Sequence, residues 1–475
     1  MYKRLLAALL AVMLCLGLAA CDNGDDQPES TGSSENTGGS VEKYTDFGGY
    51  DFVLGAWYDE FLEQTFPSSW HEFAHEYQQN VAKEYNFNYS RVNIVEDGDY
   101  TQMVPAKIMA GDKDVSMYYF FEGYIVPCVS QNLLWDLTEL DSFDPEDPKW
   151  DKIGMETFTF NGGVYAVEAA ARTPLMGMFY NKRLLEEAGF DPDLPYDLQA
   201  SGEWTWAKLE EMMRVITRDT NKDGLTDIWG MASTYGNLAL SAVWSNEAAF
   251  VKRDETGKFI DGTTDAAFLE SMEWLQKLSR DGMLFVYNKG GAQGNSFDAF
   301  QKGTVAFYPY NFWLSKEPTM VNCVDEWGFV YMPYGPSAGG VTMNAQSYGF
   351  GIPKTYSKEE AEKIFQMFDL ITDLTVNGVD NDWSVEGADE YQDTFWMDHI
   401  GNTVNDGRAV TETLYDMMFS DKVTLDYVRM IPGYNYTHLP TDILTLTTSA
   451  AEKIQQMRPM FQAAIDSANR LLGYE

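Results

Sequence analysis

The sequence at residues 68–77 contains the pattern H-E-x-x-H, formed by His71, Glu72 and His75. Two histidines four residues apart lie on one face of a helix and can bind zinc, with the glutamate as the general base of a metalloprotease. Glu72 has a competing structural role, because Ser69 and Glu72 have the spacing of a helix-capping box. The chain has four histidines, and no spacing marks a third zinc ligand. We therefore interpret the motif as coincidental and keep a secreted zinc metalloprotease as an alternative.

A second motif has the spacing of a calcium loop. Residues 219–224 read DTNKDG, which matches the first half of an EF-hand loop. The oxygen ligands would come from Asp219, Asn221, Asp223 and Asp227. Position twelve is Gly230, so the usual bidentate carboxylate is missing. The sequence predicts at most a partial, structural calcium site and no required cofactor, and the alternative is a surface turn of the same composition.

The composition limits the possible classes of protein and partner. The 475 residues are 45% hydrophobic and 15% aromatic, which is enough for two or three folded domains. The 33 basic and 73 acidic residues give a net charge of -40, which repels phosphate backbones and argues against nucleic-acid binding. Beyond residue 21 the chain has two cysteines, Cys128 and Cys323, and the sequence leaves open whether they pair.

The first residues have the features of an export signal. Residues 1–20 contain Lys3 and Arg4, followed by an apolar stretch that is short for a membrane span. The stretch ends in Leu-Ala-Ala before Cys21, which resembles the lipobox of bacterial lipoproteins and implies cleavage before Cys21 and acylation of that cysteine. An ordinary signal peptide is the alternative. Residues 21–45 are rich in Gly, Ser and acidic side chains and predict a flexible tether. We therefore expect a protein anchored on the outer face of the cell membrane.

From residue 50 the pattern alternates between strands and helices. We predict strands at 51–56, 89–95 and 115–121, with helices at 69–85 and 100–110 between them. Such alternation predicts an α/β fold with a mostly parallel sheet.

Several sequence blocks further along the chain carry a family resemblance. They are NGGVYAVE at 161–168, FYNKRLLEEAGF at 179–190, EWTWAKLEE at 203–211, SFDAFQKGTVAF at 296–307 and WGFVYMPYGP at 327–336. In this order the blocks resemble those of the extracellular solute-binding proteins of ABC importers, in the maltose-binding-like, sugar-binding branch. The resemblance spans roughly residues 50–375.

The resemblance implies a periplasmic-binding-protein-like fold of two α/β lobes with a ligand cleft between them. It places 46–168 and 304–346 in lobe one and 169–303 and 347–475 in lobe two, with hinges near 168 and 346. It implies a monomeric, non-enzymatic protein that captures a carbohydrate, an oligosaccharide above all, and delivers it to ABC permease subunits. A glycoside hydrolase is a further alternative, because acidic and aromatic clefts suit both binding and cleavage.

Sugars are bound by aromatic rings that stack on their C–H faces and by polar groups that bind their hydroxyls. Candidate side chains of these types follow predicted strands or lie at the lobe crossings, where an open α/β sheet binds its ligand. They are Trp57, Tyr119, Phe120, Glu122, Glu168, Arg172, Tyr235, Trp244, Trp313 and Tyr348. By resemblance, Glu168 and Trp313 match a cleft glutamate and a stacking tryptophan of the family. For each aromatic residue the alternative is a place in the core, and for Glu168 it is an ion pair with Arg172.

Overall fold

A computed structural model describes residues 44–57, 69–94, 97–169, 173–174, 176–285, 294–316, 320, 322–373, 413, 416–417, 420 and 422–474. The predicted signal peptide at 1–20, the predicted lipidation site Cys21 and nearly all of the predicted tether at 21–45 lie outside these residues.

The described residues form fourteen strands and thirteen α-helices. The strands are β1 (Tyr50–Ala56), β2 (Phe87–Asn93), β3 (Met117–Phe121), β4 (Thr159–Phe160), β5 (Gly163–Val164), β6 (Thr173–Pro174), β7 (Met176–Asn181), β8 (Trp229–Met231), β9 (Val251–Arg253), β10 (Phe259–Asp261), β11 (Val305–Asn311), β12 (Trp327–Val330), β13 (Ala345–Gln346) and β14 (Tyr348–Gly351). The helices are α1 (Ser69–Glu84), α2 (Asp97–Met109), α3 (Glu122–Ser130), α4 (Lys152–Thr157), α5 (Lys182–Glu187), α6 (Leu194–Ser201), α7 (Trp206–Ile216), α8 (Tyr235–Trp244), α9 (Ala266–Arg280), α10 (Gly294–Gln301), α11 (Lys358–Thr372), α12 (His438–Leu444) and α13 (Ala450–Leu471).

Local sequence signals explain where several helices begin. The side chain of Asn181 accepts a hydrogen bond from the backbone N–H of Leu184 at the start of α5, and Thr205 caps α7 in the same way. Ser357 and Glu360 form a complete capping box at the start of α11. Each cap satisfies backbone N–H groups that have no partner within the helix.

Two four-stranded sheets form the centres of two lobes. The first sheet has the strand order β14-β3-β1-β2, and the second has the order β12-β7-β11-β8. In the first sheet β1 is parallel to β2 and β3, whereas β14 is antiparallel to β3. In the second sheet β7 is antiparallel to both β11 and β12. The α/β, two-lobe fold is confirmed, but the expected mostly parallel sheet holds only for the first lobe.

The strand pairing differs from the expected division of the chain into lobes. Residues 304–346 were expected in lobe one, but β11 and β12 pair with β7 in the second sheet. Residues 347–475 were expected in lobe two, but β14 pairs with β3 in the first sheet. Hydrophobic periodicity identifies a buried strand without specifying its partner, so the sequence could not decide this point.

The connections between the two sheets pair with each other. β6 lies between Glu168 and β7, and β13 lies between β12 and β14. These two short strands form their own antiparallel pair, in which Thr173 lies opposite Gln346 and Pro174 lies opposite Ala345. Both predicted hinge positions therefore lie at or beside a pair of chain crossings.

The second sheet is closely packed around β7, all six residues of which are buried. The ring of Phe329 on β12 lies over Gly177, where a Cβ atom would come within 2.1 Å of Cζ. Glycine is therefore required at this point of β7 because the aromatic ring occupies the space of a side chain. Cys128 is a buried free thiol, so the two cysteines do not pair with each other.

Candidate ligand-binding site

Three predicted aromatic residues lie together at one edge of the first sheet. The ring centroids of Trp57 and Tyr119 are 5.6 Å apart with planes 16° from parallel, and those of Tyr119 and Tyr348 are 5.5 Å apart at 12°. Trp57 and Tyr348 are 6.2 Å apart at 21°. All three residues are half-buried. We call this set of three near-parallel rings the aromatic platform.

The sheet topology explains why these rings meet. β1 and β3 are parallel neighbours in which Gly55 pairs with Tyr118, so Trp57, directly after β1, and Tyr119, in the middle of β3, lie close together at the same edge. β14 runs antiparallel to β3 and pairs Tyr348 with Phe121, so its first residue reaches that edge too. Three segments far apart in sequence thus contribute to one apolar surface.

One side of the platform is bordered by an aromatic residue that the sequence did not indicate. The ring of Tyr124 is 5.3 Å from that of Trp57 at 80°, and 5.4 Å from that of Phe121 at 87°. Tyr124 belongs to the first turn of α3, directly after β3. Its position after a strand end is the signal that could have identified it.

Glu168 supplies a carboxyl group beside the platform. The residue is half-buried, but its Oε2 atom is enclosed and accepts no hydrogen bond from the described residues. Burial raises the pKa of Glu168 to about 7, against the opposing effects of a hydrogen bond from Tyr119 and the charge of Arg91. An enclosed acceptor without a partner is costly unless a ligand or water satisfies it. Arg172, the expected alternative partner, lies outside the described residues.

Glu122 lies at the start of α3 and is 6% exposed. Its Oε1 atom is 3.6 Å from Nη1 of Arg429. Burial raises the pKa of Glu122 to about 7, and the positive charge of Arg429 opposes this rise. The sequence did not indicate Arg429, because no motif marks the last hundred residues.

Two predicted ligand contacts lie in the core instead. Phe120 is fully buried, and Trp244 is 3% exposed. The indole Nε1–H of Trp244 donates to Oδ2 of Asp426 at 2.9 Å, which satisfies its polar atom inside the protein. Side chains in strands alternate between faces, so Phe120 lies on the face of the first sheet opposite to that of Tyr119.

Two further predicted residues belong to the second lobe. Tyr235 is half-buried and begins α8, shortly after β8, and Trp313 follows β11 in a turn of 3₁₀-helix. β8 and β11 are parallel neighbours, so both positions follow the carboxyl ends of strands at one edge of the second sheet. The side chain of Trp313 lies outside what the structure describes.

The described side chains of the two candidate metal motifs lie at or near the surface. His75 is exposed on α1, while Tyr77 and Val81 of the same helix are buried; the side chains of His71 and Glu72 lie outside the described residues. In the described part of the chain, no group of three or more His, Cys, Asp or Glu side chains is arranged to hold a metal ion.

The predicted calcium loop is held together by its own hydrogen bonds. Asp219 accepts from the backbone N–H groups of Lys222 and Gly224, both at 2.7 Å. Asp227 accepts from the backbone N–H of Thr220 at 2.8 Å. Asn221 and Asp223 each accept from the backbone N–H two residues further on, at 2.8 Å. The turn expected as the alternative therefore accounts for all four side chains.

Comparison with solved structures finds the same fold in bacterial binding proteins. An ABC substrate-binding protein from Listeria monocytogenes in complex with cycloalternan has a TM-score of 0.57 and 15% identity, with 90% of this chain and 100% of that chain covered. The sugar-binding protein MalE from Xanthomonas citri has a TM-score of 0.60 and 15% identity, with 90% and 100% covered. UgpB from Mycobacterium tuberculosis in complex with glycerophosphocholine has a TM-score of 0.59 and 14% identity, with 88% and 99% covered.

The sequence comparison identifies the family. No curated protein matches the chain significantly. Among the described residues, no helix is both long and apolar enough to cross a membrane. The family described as bacterial extracellular solute-binding protein matches residues 64–373, which is more than half of the chain. Together with the two-lobe fold, this match shows that the chain belongs to the bacterial extracellular solute-binding proteins.

Proposed function

We propose that this protein is the substrate-binding component of an ABC importer, that it is held on the outer face of the cell membrane by a lipid on Cys21, and that its solute is a carbohydrate. The observation that carries the choice of solute is the aromatic platform with the enclosed, unpartnered Oε2 of Glu168 beside it. The protein acts as a monomer and needs no cofactor to bind its solute.

The platform has the chemistry that a sugar requires. The C–H faces of a pyranose ring pack on aromatic rings, and its hydroxyls donate to carboxylate oxygens. Trp57, Tyr119 and Tyr348 lie together as a cluster of three rings, and a cluster that can contact more than one sugar unit favours an oligosaccharide over a single sugar. The neighbour from Listeria monocytogenes, which binds cycloalternan, supports the same ligand class.

The two lobes give the site a means of closing on its ligand. The paired strands β6 and β13 at the crossings are the proposed hinges, and the edge of the second sheet that carries Tyr235 and Trp313 is the proposed opposite wall. A ligand that contacts both walls binds the closed arrangement more tightly and shifts the population towards it.

Calorimetric titration of the purified protein with maltotetraose, cellotetraose, cycloalternan and glycerophosphocholine tests this proposal. We expect a saccharide to bind, and Trp57→Ala and Tyr348→Ala to weaken its binding at least tenfold, since each removes part of the stacking surface. Tyr334→Ala is the matched control, because this half-buried tyrosine donates to the carbonyl of Gly202 in the second lobe.

Each of the other outcomes would support a different function. Binding of glycerophosphocholine alone would replace carbohydrate by a phosphodiester ligand. Cleavage of a saccharide would indicate a glycoside hydrolase, and zinc-dependent cleavage of a peptide substrate would indicate the metalloprotease suggested by His71, Glu72 and His75. Equal loss in the control and in the platform variants would show that the platform does not contact the ligand.

A further inference from the structure

Arg429 lies between the two lobes at the border of the platform. Its Cζ atom is 5.7 Å from the ring centroid of Phe121 on β3 and 5.9 Å from that of Trp244 on α8. The ring of Phe121 is in turn 5.8 Å from that of the platform residue Tyr348. The guanidinium group is therefore held between an aromatic ring from each lobe, one ring away from the platform.

The segment that carries Arg429 is held rigidly. Asp426 is buried, and its carboxylate accepts from the backbone N–H groups of Phe250, Val251 and Val428 at 2.9, 3.1 and 3.0 Å, in addition to Trp244. Within the turn Asp426–Met430, Arg429 alone is not buried. The carboxylate of Asp426 thus fixes a turn whose single accessible side chain is an arginine.

The contact between this turn and α3 is also specific. A Cβ atom at Gly123 would lie 2.9 Å from the carbonyl oxygen of Arg429, so only glycine allows the turn to approach the start of the helix this closely. The approach brings the guanidinium to Glu122. Because the closest approach of the two charged groups is 3.6 Å, Arg429 keeps donors available for another acceptor.

Arg429 and Glu122 therefore present a donor group and an acceptor group side by side. Two neighbouring hydroxyls of a sugar can satisfy both at once, one accepting from the guanidinium and the other donating to the carboxylate. We infer that Arg429 is a ligand-contacting residue and that, with Glu122, it binds a pair of adjacent hydroxyls of the saccharide on the aromatic platform. This inference rests on the proposed function.

A purely structural role for Arg429 is the competing explanation. Removal of the guanidinium alone leaves Glu122 buried without its partner, and that change can unfold a protein regardless of ligand. The double variant Arg429→Gln with Glu122→Gln removes both charges together and avoids this problem. Arg429→Lys keeps the charge but loses the planar fork of donors.

The experiment titrates maltotetraose, cellotetraose and xylotetraose into wild type, Arg429→Lys, Arg429→Gln and the double variant, with a thermal melt of each protein. Arg470→Gln is the matched control, since Arg470 is exposed on α13 and its guanidinium donates to the backbone carbonyl of Asp466 in the same helix at 3.3 Å. We expect the double variant to fold normally and to bind the tightest saccharide at least tenfold more weakly than wild type. We expect Arg429→Lys to show an intermediate loss and Arg470→Gln no loss.

The pH dependence of ligand affinity distinguishes direct contact of Glu122 with the ligand from a purely structural role. Arg429, Asp426 and Tyr427 are the titratable groups near Glu122 outside its own helix, and Ser347 contacts it through the backbone. If the ionised carboxylate accepts from a ligand hydroxyl, wild-type affinity rises severalfold between pH 6 and pH 8, and the rise is smaller in Glu122→Gln. Glu168 titrates in the same range, so part of the rise remains.

The outcomes are distinguishable. If a saccharide binds wild type and the folded double variant within threefold of each other, the inference about Arg429 is wrong and the proposed function stands. An unchanged pH profile in Glu122→Gln contradicts the inference as well. If no saccharide binds wild type, the proposed function fails and the inference fails with it.

Discussion

We expect the side chain of Arg253 to stabilise the contact between β9 and the segment that joins α4 to β4. It lies on β9, and its guanidinium donates to the backbone carbonyls of Glu156, Thr157 and Thr159 at 2.9, 3.1 and 3.1 Å. These carbonyls belong to the end of α4 and the start of β4, and the neighbouring Phe158 packs against β14 of the first sheet. Three rings surround the guanidinium at 4.4 to 5.0 Å, those of Phe160, Phe259 and Tyr427.

Arg253→Met should destabilise the protein by about 3 kcal/mol. Each hydrogen bond from a charged donor contributes about 1.5–3 kcal/mol, and a cation–π contact contributes about 0.5–1 kcal/mol. The desolvation of the guanidinium, which also lowers the pKa of Arg253, offsets part of this sum. Methionine retains the apolar contacts with the three rings, so the expected loss is about half of the lower bound of this sum, which is about 6 kcal/mol.

Urea unfolding followed by tryptophan fluorescence measures this loss. The matched control is Lys252→Met, one residue away on β9, because Lys252 forms an ion pair with Asp265 in which both side chains are more than a third exposed. Such a surface pair contributes about 0–1 kcal/mol. We expect the midpoint of Arg253→Met to fall well below those of the wild type and the control.

Two results would contradict this reasoning. One is a loss in Arg253→Met that is within 1 kcal/mol of the loss in Lys252→Met, which would mean that the carbonyls find other donors at little cost. The other is a separate early transition in wild type that Arg253→Met leaves unchanged, because the link would then not join cooperatively folded elements.

Three further changes in stability follow from single contacts. The unfolding free energy should fall as pH rises from about 4.5 to about 7, because the raised pKa of Glu122 means that the folded state holds its proton more tightly than the unfolded state does. Urea titrations at each pH should show that Glu122→Gln removes about 3 kcal/mol of this fall. Gly177→Ala should cost about 3 kcal/mol because the new methyl group overlaps a ring of β12, whereas Gly236→Ala, with no atom closer than 3.7 Å, should be nearly neutral in thermal melts. Asn469→Ala should cost about 2 kcal/mol by calorimetry, since its buried amide pairs with both the N–H and the C=O of Phe259, each at 2.9 Å.

The sequence predicted the elements better than their arrangement. The helix expected at 69–85 is observed at Ser69–Glu84, and the strand expected at 115–121 is observed at Met117–Phe121. By contrast, β11 was expected in lobe one but pairs in the second sheet, and β14 was expected in lobe two but pairs in the first sheet. The hydrophobic pattern and the helix caps depend on residues that are close together in sequence. Strand pairing depends on which lobe the chain enters after each crossing, and nearby residues do not specify this.

The same difference between local and long-range features explains which residues of the candidate site could be predicted. The nearness of Trp57 and Tyr119 could be predicted because the ends of neighbouring parallel strands meet at one edge, whereas Tyr348 was predicted from its place at a lobe crossing. Arg429 could not, because it reaches the platform through a turn that Asp426 fixes against Trp244 and the backbone of β9. Trp244 was itself predicted as a ligand contact, and its buried indole instead donates to Asp426. Trp244 thus lies in the core, where it supports the turn that carries Arg429 to the border of the platform.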